Sequence, residues 1–369
     1  MKKTLISWIL AFAFILINPF ILYSQDFDSG NKTIKIADSY NYNLNYDQLN
    51  AIDDFKDKSF GLNTHWSTGN QLQMAFLSGA KWIRSGVGWA DVEPEYFDLP
   101  HYNWEVADKI VVDARALGLN ILWILGDTPS WASSNGNRNG IPKNKLAIER
   151  WRLFVRETAQ RYKEDVHFFD IWNEPNLEDF WIGSVEEWVN LILISAWEEI
   201  KLVNPENIVT GPSLALLGSS ARIKVDDFFS RLGKLNASKY IDVISQHAYE
   251  EKPEEIISQF EDGSYNCWWI FCSKQRDSLY KIYKNTGFEN HKIWLTEFGW
   301  RTDKFGEIGQ AEKLVDLIKR IWRRPRFISP IIYELQDDSK FPQKWGILKP
   351  DSSPKESFHY LFQLASLNK

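Results

Sequence analysis

The chain has 369 residues, 44% hydrophobic and 25% charged, which is a globular composition with room for one large α/β barrel or two smaller domains. Its net charge of −6, its pI near 5.7 and the lack of any dense Lys/Arg run argue against nucleic-acid binding, which needs a basic footprint. Its only cysteines, Cys267 and Cys272, have no further Cys or paired His near them, so a zinc site is not expected, while a small disulfide clip stays open.

The N-terminus reads Met1-Lys2-Lys3, then an apolar run from about Leu5 to Tyr23, then Ser24-Gln25-Asp26. This basic-then-apolar order predicts a secretory signal peptide over residues 1–25, and hence a secreted, periplasmic or cell-surface protein. An uncleaved anchor is the alternative; Pro19, Asp26 and Asp28 favour cleavage. Residues 26–57 are polar and Asn/Asp/Tyr-rich, an expected N-terminal extension packed on the main body.

From Ser59 onward short apolar runs alternate with amphipathic ones. Strands are expected at Phe60–Asn63, Trp82–Ser85, Ile121–Leu125, Val166–Trp172, Ile208–Thr210, Ile241–Ser245, Ile293–Thr296 and Pro330–Leu335. Helices are expected at Gln71–Ser78, Trp104–Leu117 (Asn103 as cap, Gly118 as stop), Lys145–Tyr162, Val185–Leu202 (Ser184 and Glu187 as a capping box), Asp226–Leu235, Lys274–Tyr283, Ala311–Trp322 and Pro354–Leu367. Eight such repeats imply a parallel sheet closed into a (β/α)8 TIM barrel, a single catalytic domain over residues 58–369. The competitor, an open doubly wound sheet, lacks a Gly-rich fingerprint after the first strand, and no P-loop is present.

In such a barrel the functional groups follow the strands' C-terminal ends. There the chain places His65-Trp66, Arg84 with Trp89, Asp127 with Trp131, Asn173-Glu174, His247 with Tyr249, Glu297 with Trp300, and Tyr333-Glu334. A lone glutamate at a strand end is ordinarily just solvated. Glu174 and Glu297, however, would face one mouth, and two carboxylates over one cavity are what glycosidic cleavage needs. One donates a proton to the leaving oxygen, while the other attacks the anomeric carbon or activates water. Arg84 and Tyr249 can keep the second acid ionised. Trp66, Trp89, Trp131, Trp300 and Trp345 are candidate sugar-stacking faces.

The segments IWNEPN (Ile171–Asn176) and WLTEFGW (Trp294–Trp300) resemble the acid/base and nucleophile motifs of clan A retaining glycoside hydrolases, and the likeness runs through the whole barrel. Thr128-Pro129-Ser130-Trp131 and Trp172–Leu177 are most similar to glycoside hydrolase family 39, whereas TEFGW is also similar to family 5. Family 5 usually carries a His after strand three and a Trp at strand eight, where this chain has Asp127 and Tyr333-Glu334. The resemblance implies that Glu174 is the proton donor and Glu297 the nucleophile. It further implies that Asn173 binds the sugar 2-hydroxyl, that Arg84 and Tyr249 support Glu297, and that His247 fits a His-x-Tyr pattern. His65, Trp66, Trp89, Asp127, Trp131, Trp300, Tyr333 and Glu334 complete the expected substrate-binding set. The expectation is a monomeric hydrolase of β-linked sugars working without cofactor or metal. A non-catalytic polysaccharide-binding barrel and a transglycosylase using the same site are the alternatives.

Overall fold

In the computed structural model, residues 58–216, 221–268 and 271–367 are described, apart from the side chains of residues 264–275. The expected signal peptide (1–25) and extension (26–57) therefore lie outside the described residues. So does the side-chain chemistry of Cys267 and Cys272, whose backbones are paired opposite each other.

The short apolar runs become strands in the order β1 (Gly61–His65), β2 (Trp82–Ser85), β3 (Asn120–Leu125), β4 (Phe168–Ile171), β5 (Ile208–Leu214) and β6 (Val243–His247). There follow β7 (Ser264–Trp268), β8 (Phe271–Arg276), β9 (Lys292–Glu297) and β10 (Ile331–Ile332). Strands β7 and β8 form a separate antiparallel hairpin; the other eight are all parallel, in the order β10-β1-β2-β3-β4-β5-β6-β9. The ring comes together where Tyr333 N–H donates to the Phe298 carbonyl at 2.8 Å, beside a parallel bridge between Ile293 and Phe327. The (β/α)8 barrel expected from the sequence is thus the architecture.

Alternation along the strands divides the barrel interior into layers. The lower layer is apolar: Trp82, Leu122, Phe168, Ile208, Val243, Trp294 and Ile331 form one buried cluster. Trp82, Phe168 and Trp294 meet edge to face at centroid separations of 4.9, 4.9 and 5.8 Å. Such pairs contribute about 0.5–1.5 kcal/mol each beyond area burial. Two residues further along the same strands come Arg84, Ile124, Asp170, Thr210, Ser245 and Thr296, so the layer above is mostly polar. The change from one layer to the next sets where chemistry begins.

The helices largely follow the expected spans. The Ser184–Glu187 capping box forms, and Gly118 ends its helix in the left-handed conformation (φ 69°), which a Cβ would disfavour. Two expected spans are corrected and one further helix appears. Residues 274–276 belong to β8, so that helix is confined to Leu279–Asn285, with Ser278 as its cap. The helix expected at Ala311 starts at Thr302 and is broken by the positive φ of Gly306. The stretch Glu250–Ser273 contains a helix, Pro253–Glu261, which begins at a proline.

Candidate active site

Arg84, reaching upward from β2, organises the mouth. Only 2% exposed, it donates from Nε to Asp170 (2.9 Å), from Nη1 to Asn63 (3.0 Å) and Glu297 (2.7 Å), and from Nη2 to Asn173 (2.9 Å). Buried charge is tolerated only when paired and hydrogen-bonded, and here each of the three guanidinium nitrogens donates. Asp170, on β4, is the counter-ion beneath it. The hydroxyls of Thr210, Ser213 and Ser245 all donate to Asp170 at 2.8–2.9 Å. Asp170→Asn should lower stability by about 3 kcal/mol, at the low end for breaking a buried pair because Glu297 still balances Arg84. A denaturation midpoint equal to that of the parent would count against this account.

The two candidate carboxylates sit above this layer. Glu297 ends β9, where alternation alone would turn it outward from the side of Thr296. A register irregularity between Gln246 and His247 of neighbouring β6 accompanies its facing the mouth. Its Oε1 accepts from Arg84 and its Oε2 from the Tyr249 hydroxyl at 2.7 Å. Burial, and then the charge of Glu297, push the Tyr249 hydroxyl well above its ordinary range, so it stays a donor. Glu174 lies just past β4. Trp172 (φ 72°) and Glu174 (φ 43°) both have left-handed backbone, as do Asp127 (φ 65°) after β3 and His65 (φ 49°) at the end of β1. Such conformations cost about 1–3 kcal/mol each and gather at sites where direction matters more than comfort.

An oxygen of Glu174, one of Glu297 and a ring nitrogen of His247 all lie within 4.8 Å of one another. His247 Nδ1 stands 2.9 Å from Glu174 and 3.5 Å from Glu297. Burial lowers the His247 pKa to about 4, so the ring is neutral near pH 7 and shares a single proton with Glu174. Two carboxylates and an imidazole could ligate a cation, but Arg84 already occupies Glu297 and would repel one. The surroundings of the two acids differ. Glu174 has its pKa raised to about 7, chiefly by burial, with Arg84 pulling weakly the other way.

A cavity of about 700 Å³ opens over both acids, within the range of about 300–1,000 Å³ typical of small-molecule sites. It brings together His65, Trp66, Arg84, Asp127, Asn173, Glu174, Tyr249, Glu297, Tyr333 and Trp345. His247 lies buried just beneath, and His65 Nε2 is 2.7 Å from the largely buried Glu334 carboxylate. Three expected stacking faces do not reach the cavity. Trp89 and Trp300 are buried, and half-buried Trp131 packs edge to face on Trp89. Their indole N–H groups bind Glu93 and the Glu250 carbonyl, so these rings brace the loops around the mouth instead of lining it. The sequence reading missed Asp170, Trp172, Phe180 and Arg138. Asp170 was detectable as the one acid inside the apolar run Phe168–Trp172. Phe180 and Arg138 lie in loops where no periodicity points inward.

Residues 138–300 match the family described as glycosyl hydrolases family 39. A beta-xylosidase of Caldicellulosiruptor saccharolyticus is 38% identical over 111 residues, 28% of this chain and 21% of that protein. A beta-xylosidase of Geobacillus stearothermophilus is 28% identical over 222 residues, 52% of this chain and 43% of that protein. The chain thus spans less than half the length of either curated relative. Among solved structures, a family 39 glycoside hydrolase from Bacteroides cellulosilyticus WH2 superposes with a TM-score of 0.64 at 20% identity, covering 86% of this chain and 65% of that one. A monomeric beta-xylosidase from Caulobacter crescentus CB15 gives 0.62 at 18% identity, covering 84% and 68%. At such identities these likenesses speak for the fold.

Proposed function

We propose that the chain is a family 39 glycosyl hydrolase, as the match of residues 138–300 supports, and that it cleaves β-linked glycosidic bonds of a poly- or oligosaccharide by double displacement. The observation that carries this reading is the pair Glu174 and Glu297, with oxygens within 4.8 Å of each other over one cavity. Retaining glycosidases hold their carboxyl groups about 5–5.5 Å apart, whereas inverting ones leave about 6.5–9.5 Å for a water.

In this reading Glu297, oriented by Arg84 and Tyr249, attacks the anomeric carbon. Glu174, protonated near neutral pH, delivers its proton to the leaving oxygen. Glu174 then takes a proton from the water that hydrolyses the glycosyl–enzyme ester. Asn173, its side-chain oxygen held by Arg84, keeps its amide N–H groups for a sugar hydroxyl. The relatives' names make β-xylosides the first substrates to try. Aryl β-xylosides and β-glucosides cleaved in D2O and followed by proton NMR should release the β-anomer first; initial α-anomer would rule out the double displacement. The basic-then-apolar N-terminus supports action outside the cytoplasm, which cell fractionation would test.

A further inference from the structure

A second, smaller pocket of about 370 Å³ lies beside the mouth, between the loop after β1 and the loop after β10. Resting on the reading above, we propose that this pocket binds a second sugar on the non-reducing side of the scissile bond. The enzyme would then release disaccharides or longer units instead of trimming single residues from a chain end.

Three observations support this. First, the two cavities are contiguous: His65 and Trp66 line both. Trp66 is 48% exposed, yet its indole N–H donates to the Gly86 carbonyl at 2.9 Å. An open aromatic face is therefore already held in place, with little ordering left to oppose binding. Second, the pocket's chemistry suits a sugar. Ser67, Gln71, Gln336 and Asp338 offer hydroxyl, amide and carboxylate groups around that single indole. Gln71 spends one N–H on Gln336 (2.8 Å) and keeps the rest of its amide. Thr64, also lining the pocket, has a buried hydroxyl with no partner among the described residues.

Third, the topology gives the direction. The general acid must face the leaving oxygen, and Glu174 follows β4, far around the ring from β1 and β10. Departing sugars therefore leave on the β4 side. The nucleophile sits on β9, whose neighbour closing the ring is β10, so a pocket between β10 and β1 lies beyond the attacked sugar on the side that stays attached.

The test uses 4-nitrophenyl β-xyloside against 4-nitrophenyl β-xylobioside, with the β-glucoside and β-cellobioside pair alongside, and sizing of the first products. The expected first product of the bioside is the free disaccharide, released in one step. Gln71→Ala, on the first turn of an exposed helix, should lower the bioside-to-monoside ratio of kcat/KM about tenfold, the scale of one lost sugar contact. Monosaccharide as the first product, or an equal effect on both substrates, would overturn the proposal. If no aryl glycoside of either pair is cleaved, the proposed activity has failed. The pocket is then judged by calorimetric titration with xylotriose and cellotriose. Binding weakened by Gln71→Ala supports it, and binding no tighter than that of the free monosaccharide overturns it.

Discussion

Replacing Glu297 by glutamine should reduce turnover on the order of 10⁴-fold or more, the scale on which removal of a nucleophile acts in other enzymes. The amide is isosteric, can still accept from Arg84 and leaves Asp170 to balance that guanidinium, so the fold should survive. An unchanged far-UV spectrum and thermal midpoint would establish this. The more discriminating variant is Glu297→Ala. Losing the side chain leaves a gap between Arg84, Tyr249 and the anomeric carbon, and a small anion such as azide can enter beside the guanidinium. Azide should restore cleavage of an activated aryl β-glycoside and yield the α-glycosyl azide, because attack then comes once, from the nucleophile's face. Wild-type turnover in either variant would remove Glu297 from its role. A β-configured azide would transfer the missing function to the acid.

How much of this was readable beforehand differs between levels. All eight barrel strands could be placed because each carries a short β-rich run, and in seven of them the inward residue of the lower layer is large and apolar, as with Trp82 and Trp294; β1 has Gly61 at that level. The carboxylate pair could be placed because Pro175 and Gly299 stop apolar runs just after an acid. What escaped was direction within loops. Trp89 and Trp300 stand next to polar strand ends, as a stacking residue would, yet they turn into the loop packing because their N–H groups find Glu93 and Glu250 there. Conversely, Arg138 meets Asp91 and Asp127 at the cavity only through the fold of the loop after β3. Asp170 is the instructive miss. One acid in a core strand signals a buried counter-ion, but its partners lie on three other strands, and no local spacing links them.

Glu174→Gln should separate the two jobs proposed for that side chain. With a natural sugar leaving group the loss of the general acid should reduce kcat about 10²–10⁴-fold; with 4-nitrophenolate, which departs without a proton, far less. The parent's kcat/KM should fall as pH rises through about 7, where Glu174 ionises, and the variant should lose that limb. The same shift has a consequence for stability, of opposite sense to that of a salt-bridged carboxylate. Burial raises the folded pKa from 4.5 to about 7, so between those values the folded protein keeps a proton that the unfolded chain has released. Stability therefore declines as pH rises across this window and carries the full penalty above about pH 7, on the order of 2–3 kcal/mol for a side chain so largely enclosed. Glutamine, neutral at every pH, escapes the penalty while keeping a hydrogen-bonding group beside His247 Nδ1. The variant should be more thermostable than the parent at pH 8, and the difference should nearly vanish at pH 4, where the carboxyl is mostly neutral in both states. A gap that is the same at both pH values, or parent and variant equal at pH 8, would show that Glu174 is not held in its protonated form by burial. The assignment of the acid would then have to move elsewhere in the mouth.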